Sequence, residues 1–134
     1  MTISRAGTLP LKPGSADYFS GTVCLEEIAT SSSGPAAVRV VRVSFAPAAR
    51  TAWHTHPCGQ ALHILSGTGL VQREGEAVQE VFPGDSVWFA PGERHWHGAA
   101  PDGLMVHLAV QVADAQGSTT AWAEHVSDTE YANR

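Results

Sequence analysis

The segments His54-Thr55-His56-Pro57-Cys58-Gly59-Gln60 and Pro91-Gly92-Glu93-Arg94-His95-Trp96-His97 gather metal-capable side chains into two clusters punctuated by glycine and proline. Side chains at i and i+2 of a strand share a face, so His54 and His56 are predicted to converge, as are His95 and His97. Two such pairs facing one interior can set three imidazoles and one side-chain oxygen around a divalent ion. The expected nitrogen ligands are His54, His56 and His95. Gln60 is either a neutral oxygen ligand or a hydrogen-bonding support for a ligand histidine. Three imidazoles and an amide bring no negative charge, so an ion there keeps its full +2 and acts as a strong Lewis acid. The same donors disfavour a trivalent state, which tilts the chemistry toward polarising or deprotonating an oxygen rather than redox cycling. Mn, Fe, Co, Ni and Zn all suit such donors.

The elements that must aim these residues read as short strands. The chain has 134 residues, 43% hydrophobic and 16% charged, enough for one domain with a core that needs no disulfide. From Val41 the pattern alternates, with Val41, Val43 and Phe45 on one face and Arg42 and Ser44 on the other. Strands are predicted at 21–28, 38–45, 51–55, 61–65, 69–74, 78–82, 86–90 and 104–112, with turns at Ser66-Gly67, Arg73-Glu74-Gly75-Glu76 and Pro83-Gly84-Asp85. Residues 1–19 read as an extended arm, with a terminal strand able to pair elsewhere, and 30–35 as a polar loop. Only the tail reads as helical: Ser127-Asp128-Thr129-Glu130 fits a capping box. Many short strands with Gly/Pro turns give an all-β sandwich or barrel.

A net charge of −5, with Lys12 the only lysine and the arginines scattered, excludes a nucleic acid or an anionic membrane as the main partner. The first fourteen residues hold no signal-like apolar core. The longest apolar run, Leu104 to Val112, is interrupted by His107 and Gln111 and is too short to cross a bilayer. A cytoplasmic protein is expected, with Cys24 and Cys58 as free thiols.

On the last predicted strand His107 shares a face with Met105, Ala109 and Gln111, while Val106, Leu108 and Val110 take the other. A face carrying His and Gln suits a polar pocket, so His107, Gln111 and His97 form a second group of candidate residues. Val41, Val43, Phe45, Leu62 and Ile64 are candidates to line the pocket with apolar surface. His63 is out of phase with Gln60, Leu62 and Ile64 and is expected at the surface; Arg39 could reach the barrel mouth, with a solvated arginine the preferred reading. His125 has no partner visible in the sequence. Trp53, Trp88, Trp96, Phe82 and Phe89 are expected to fill core or interface.

The paired clusters resemble the cupin superfamily, whose motifs are G-x5-H-x-H-x3–4-E-x6-G and G-x5-P-x-G-x2-H-x3-N. Here they read Ala48, His54, His56, Gln60, Gly67 and then Gly84, Ala90, Gly92, His95, Ala99. The spacing is kept, while the first glycine, the glutamate, the proline and the asparagine are replaced. The resemblance implies a single cupin domain over 1–134, a jelly-roll barrel (double-stranded β-helix) with its motif-bearing core at about 38–112. It also implies one divalent metal per chain. Longer strings are similar to the small bacterial cupins that include manganese-dependent hydroxynitrile lyases: Ala49 to Pro57, Gly59-Gln60, Pro91 to Pro101, Asp17 to Val23, and Trp122-x-Glu124-His125-Val126. That likeness favours Gln60 as a ligand, manganese as the metal, and a strand carrying His107 beside it. The implied reaction is cleavage or formation of small aromatic cyanohydrins, with neutral His107 as base and with Gln111 and His97 orienting substrate or steadying departing cyanide. A metal-dependent dioxygenase acting on a small aromatic or keto substrate, and a non-catalytic metal or small-ligand binder, are the alternatives. A homodimer or a larger even homo-oligomer is expected, since such barrels leave sheet edges and an apolar outer face.

Overall fold

Alternation of apolar and polar residues drives the chain into antiparallel pairs. The computed structural model describes residues 1–31 and 33–134. Its strands are β1 (Leu11–Pro13), β2 (Phe19–Ser20), β3 (Val23–Thr30), β4 (Val38–Phe45), β5 (Arg50–Thr51), β6 (His54–Thr55) and β7 (Gln60–Ser66). They continue as β8 (Gly69–Arg73), β9 (Gln79–Val81), β10 (Ser86–Phe89), β11 (His95–Ala99), β12 (Met105–Val112) and β13 (Ala121–Trp122), and one helix, α1 (Asp128–Ala132), follows. One curled sheet has the order β1-β3-β4-β12-β7-β10. The second runs β13-β6-β11-β5-β2, with β8 pairing β11 and β9. This is the jelly-roll barrel expected from the sequence.

The interior faces meet in a core that includes Phe19, Val41, Val43, Phe45, Leu62, Ile64, Val71, Phe89 and Met105. The strands β4, β12 and β7 carry one wall of the site, while β6, with His56 just beyond it, and β11 carry the histidine pairs. The register of β4, β12 and β7 sets His107 opposite Val43 and Ile64, and Gln111 opposite Arg39 and Gln60. Because side chains alternate, one row of β12 faces inward (His107, Ala109, Gln111) while Val106, Leu108 and Val110 face out, half-buried. β11 is buried along its whole length. His95, His97 and Ala99 lie on one face, and Trp96 on the other enters a second cluster with Trp53, Leu70, Val126 and Tyr131.

That second cluster is where the tail folds back. The helix has the predicted capping box, with Ser127 accepting from the Glu130 amide and Glu130 from the Ser127 amide. Tyr131 donates its hydroxyl to the Ala99 carbonyl at 2.8 Å, and the Arg50 guanidinium lies 4.6 Å over the Tyr131 ring while donating to the Val126 carbonyl. The tail is thereby tied to the strand that carries His95 and His97.

Several expectations needed correction. The 51–55 strand is split, because the Ala52 amide donates to Tyr18 and the Trp53 amide to Glu124. The neighbours of the backbone change at that point, so one strand becomes two. β11 was not placed among the predicted strands; its turn-rich lead-in hides a strand that is buried throughout. The N-terminal arm does carry a strand that pairs elsewhere, as expected, and it does so within the chain: Leu11, Lys12 and Pro13 pair with Glu26, Leu25 and Cys24, and Phe19-Ser20 pair with β5. Pro13 fits there because β1 is an edge strand. Trp88 and Phe82 are exposed, whereas Trp53, Trp96 and Phe89 are buried. In the 30–35 loop, Ser32 lies outside the described residues. Ala48, which stands where the motif has glycine, keeps the left-handed backbone with φ of 65°. An alanine holds that conformation at a cost of about 1 kcal/mol.

Candidate metal centre

Both histidine pairs converge inside the barrel. The ring centroids of His54 and His56 are 5.0 Å apart, those of His54 and His95 4.3 Å, and those of His95 and His97 5.8 Å. Each of three rings is anchored through Nδ1 to a backbone carbonyl. His54 donates to Ala52 at 2.9 Å, His56 to Thr119 at 2.7 Å and His95 to Glu93 at 2.8 Å. That anchoring fixes the tautomer and leaves each Nε2 a lone pair, the arrangement used by metal-ligating histidines.

Two details test whether a cation fits. The Gln60 amide donates to Gln111 Oε1 at 2.9 Å, so its own Oε1 faces His95 Nε2 at 3.2 Å. With Nδ1 of His95 already donating, two acceptors confront each other, and a positive centre beside both relieves the repulsion. His56 Nε2 is buried with no protein partner among the described residues. The donor set therefore fits a divalent ion. Ring nitrogens of His54, His95 and His97 also lie within 4.8 Å of one another, which makes a three-histidine group positioned for a metal. His97 differs from His56 in that its Nδ1 is engaged with His107 Nε2 at 3.0 Å.

The His97–His107 pair is wholly buried, and the Phe45 ring packs against both at 6.0 and 5.3 Å. His97 Nε2 and His107 Nδ1 have no protein partner among the described residues. Whichever ring donates the shared proton, one free nitrogen of the pair is an acceptor and the other a donor.

His54, His56, Gln60, His97, His107 and Gln111 line a cavity of about 440 Å³ with Thr51, Val41, Val43 and Ala109 on its walls. Phe19, Leu25, Tyr18, Trp122, Thr119 and Thr120 complete it toward solvent. Phe45, Leu62 and Ile64 lie in the core and do not line the cavity; the His97 and His107 rings pack over Phe45. Arg39 takes the less favoured of its two expected places and lines the cavity, with Nε on Glu27 at 2.6 Å. His63 is exposed as expected, and His125 has a partner after all, Ser20 at 3.5 Å. Cys24 and Cys58 are free.

Sequence reasoning missed Tyr18, Trp122 and Thr119. Trp122 stacks on Tyr18 at 4.6 Å and leans on the His54 ring at 4.7 Å. Thr119 works through its carbonyl, which leaves no side-chain signature; the two aromatics come from opposite ends of the chain.

Burial holds every one of these imidazoles neutral. His95 is pushed down to about 3 and His107 to about 4. His56 is lowered from 6.5, and His54 and His97 well below it, chiefly by burial, with repulsion from neighbouring rings adding to the effect on the last two. In the unfolded chain these groups take up protons near pH 6.5, whereas the folded ones stay neutral down to about 4 and 3. The unfolded state therefore binds more protons in that window, and stability falls as the pH falls through it. The melting temperature of metal-stripped protein should drop steeply from pH 7 to 4.5; a flat profile would contradict neutral burial.

The profile of the Cupin_2 family, a cupin domain, matches residues 41–111. A relative named (R)-mandelonitrile lyase, from Granulicella tundricola, is 50% identical over 131 residues, 98% of each chain. A solved cupin-like protein from Thermotoga maritima has a TM-score of 0.81 at 35% identity, covering 98% of this chain and 95% of that one. The polyketide cyclase RemF from Streptomyces resistomycificus has a TM-score of 0.70 at 16% identity, covering 98% and 90%, a likeness of fold alone.

Proposed function

Because the chain belongs to the cupin domain family, we propose that it is a metal-dependent lyase that cleaves and forms small aromatic cyanohydrins, its 134 residues making one domain. One observation carries this reading: a relative identical at half of its positions over nearly its full length is an (R)-mandelonitrile lyase.

His54, His56, Gln60 and His95 would hold the metal, manganese by the resemblance. When bound, it supplies a Lewis acid that makes the substrate hydroxyl easier to deprotonate. The protein's own groups do the rest. The neutral His97–His107 pair offers one free acceptor and one free donor in the same cavity. The acceptor, assigned to His107, takes the hydroxyl proton as the carbon–cyanide bond breaks and its electron pair leaves with cyanide. The donor and the Gln111 amide steady the leaving cyanide. The proton then passes to cyanide, which releases hydrogen cyanide and the aldehyde and restores the base. Val41, Val43 and Ala109 pack on the aryl group and keep water from it.

Metal-loaded protein should contain about one metal per chain and release benzaldehyde from mandelonitrile well above the stripped control. Metal far below one per chain after reconstitution, or equal rates with and without it, would sink the proposal. Oxygen consumption without cyanohydrin turnover would move the reading to a dioxygenase.

Even-numbered assembly belongs to the same proposal. The outer face of the six-stranded sheet presents Trp88, Leu65 and Val38 exposed beside half-buried Val106, Leu108 and Val110, apolar groups that a second copy would cover. Light scattering at tens of micromolar (roughly, on the ordinary affinity scale) should give at least twice the chain mass of 14.1 kDa; a monomer would remove it. A cytoplasmic setting is supported by the two free thiols.

A further inference from the structure

The charged residues of the cavity are one-sided. The chain carries 13 acidic and 8 basic residues, yet the fully charged side chains lining the cavity are Lys12 and Arg39, with no carboxylate among them. Both stand at its solvent end: Lys12 is exposed and Arg39 half-exposed, while Gln60, His54 and His107 are buried. Register orders the wall between. Arg39, Val41 and Val43 share one face of β4, opposite Gln111, Ala109 and His107 of β12. The step from Arg39 to Val43 is four residues, about 13 Å of strand. His107 stands at the Val43 level and Gln111 and Gln60 at the Arg39 level, so a ligand held among them passes Val41 and Ala109 and leaves the cavity beside Arg39.

Both cations keep donors that no described residue uses. Arg39 gives only its Nε to Glu27, which does not line the cavity, and its terminal nitrogens have no hydrogen bond to a described residue. Glu27 steadies the Arg39 stem, also lies within the field of Lys12, and offsets one of the two charges. Lys12 has no ion pair among the described residues. Paired with Leu25 across β1 and β3, it leaves the mouth with a net positive charge.

We infer that the cavity prefers substrates that carry a carboxylate on the part of the molecule that faces its solvent end, received by Lys12 and Arg39. This rests on the lyase reading for the substrate class, but not for the charge preference. A planar carboxylate matches the fork of a guanidinium and the point charge of an ammonium, and an apolar ring fills the wall between.

The test is equilibrium binding of 4-formylbenzoate against 4-formylbenzamide, two molecules of one shape that differ in charge, to metal-loaded protein. Wild type should bind the carboxylate about fivefold to tenfold more tightly at low salt, with the difference shrinking as ionic strength rises. The double variant Lys12→Glu/Arg39→Gln should lose or reverse the preference, and His63→Ala on the outer face should keep it. Equal binding by wild type overturns the inference. So does a preference that survives in the double variant, since the carboxylate would then be held elsewhere, for instance by the metal. Because the readout needs no turnover, a preserved preference without cyanohydrin cleavage removes the lyase reading alone. Cleavage without a preference removes this one alone.

Discussion

His107→Ala is expected to lower cyanohydrin cleavage by about a hundredfold or more, the usual worth of a positioned acid–base group, while metal content stays near wild type. His107 does not contact the three anchored imidazoles; its Nε2 meets His97 Nδ1 and its ring packs on Phe45. Removing it takes away the acceptor without touching the carbonyl anchors at Ala52, Thr119 and Glu93. Burial holds its pKa at about 4, so the ring is neutral at pH 7 and, once protonated, returns its proton readily to cyanide. His54→Ala should lose both metal and activity. Rates and elemental analysis on the same preparations separate the two cases. A near-normal rate for His107→Ala would remove it from the base role.

Gly67→Ala is expected to cost about 3 kcal/mol or more of stability, the scale for strain combined with a steric clash at a special backbone position. Gly67 turns the chain between β7 and β8 with φ of 75°, and a Cβ there would run into the Leu104 carbonyl and the backbone of Met105, at the start of the strand that carries His107. Gly75 has φ of 82° with open space around it, so Gly75→Ala should cost only the left-handed backbone, about 1 kcal/mol. Urea denaturation of the two variants checks the difference. Equal losses would mean that the Leu104 segment moves aside freely.

The local signals in this chain were legible because their causes are local. β4 runs over the residues its alternation marked, and the Ser127 capping box forms as written. His63 faces out and the row His107, Ala109, Gln111 faces in, because phase along a strand decides facing once one face is buried. Where prediction and structure diverged, the backbone had partners far away in sequence. The split of 51–55 follows from bonds to Tyr18 and Glu124.

By itself, the sequence determined the barrel and the convergence of two histidine pairs, because a two-residue strand period and a turn residue act within a few positions. Only the tertiary structure decided what holds those rings and what surrounds them. The Thr119 carbonyl on His56, the Trp122 ring against His54 and the His97–His107 pair join segments that lie up to 68 residues apart along the chain. It also placed Phe45, Leu62 and Ile64 behind the cavity rather than on its wall, and Arg39 at its mouth. A backbone carbonyl has no side-chain signature, and alternation says which face a residue takes but not what covers that face. Those outcomes were settled when the two sheets closed on each other.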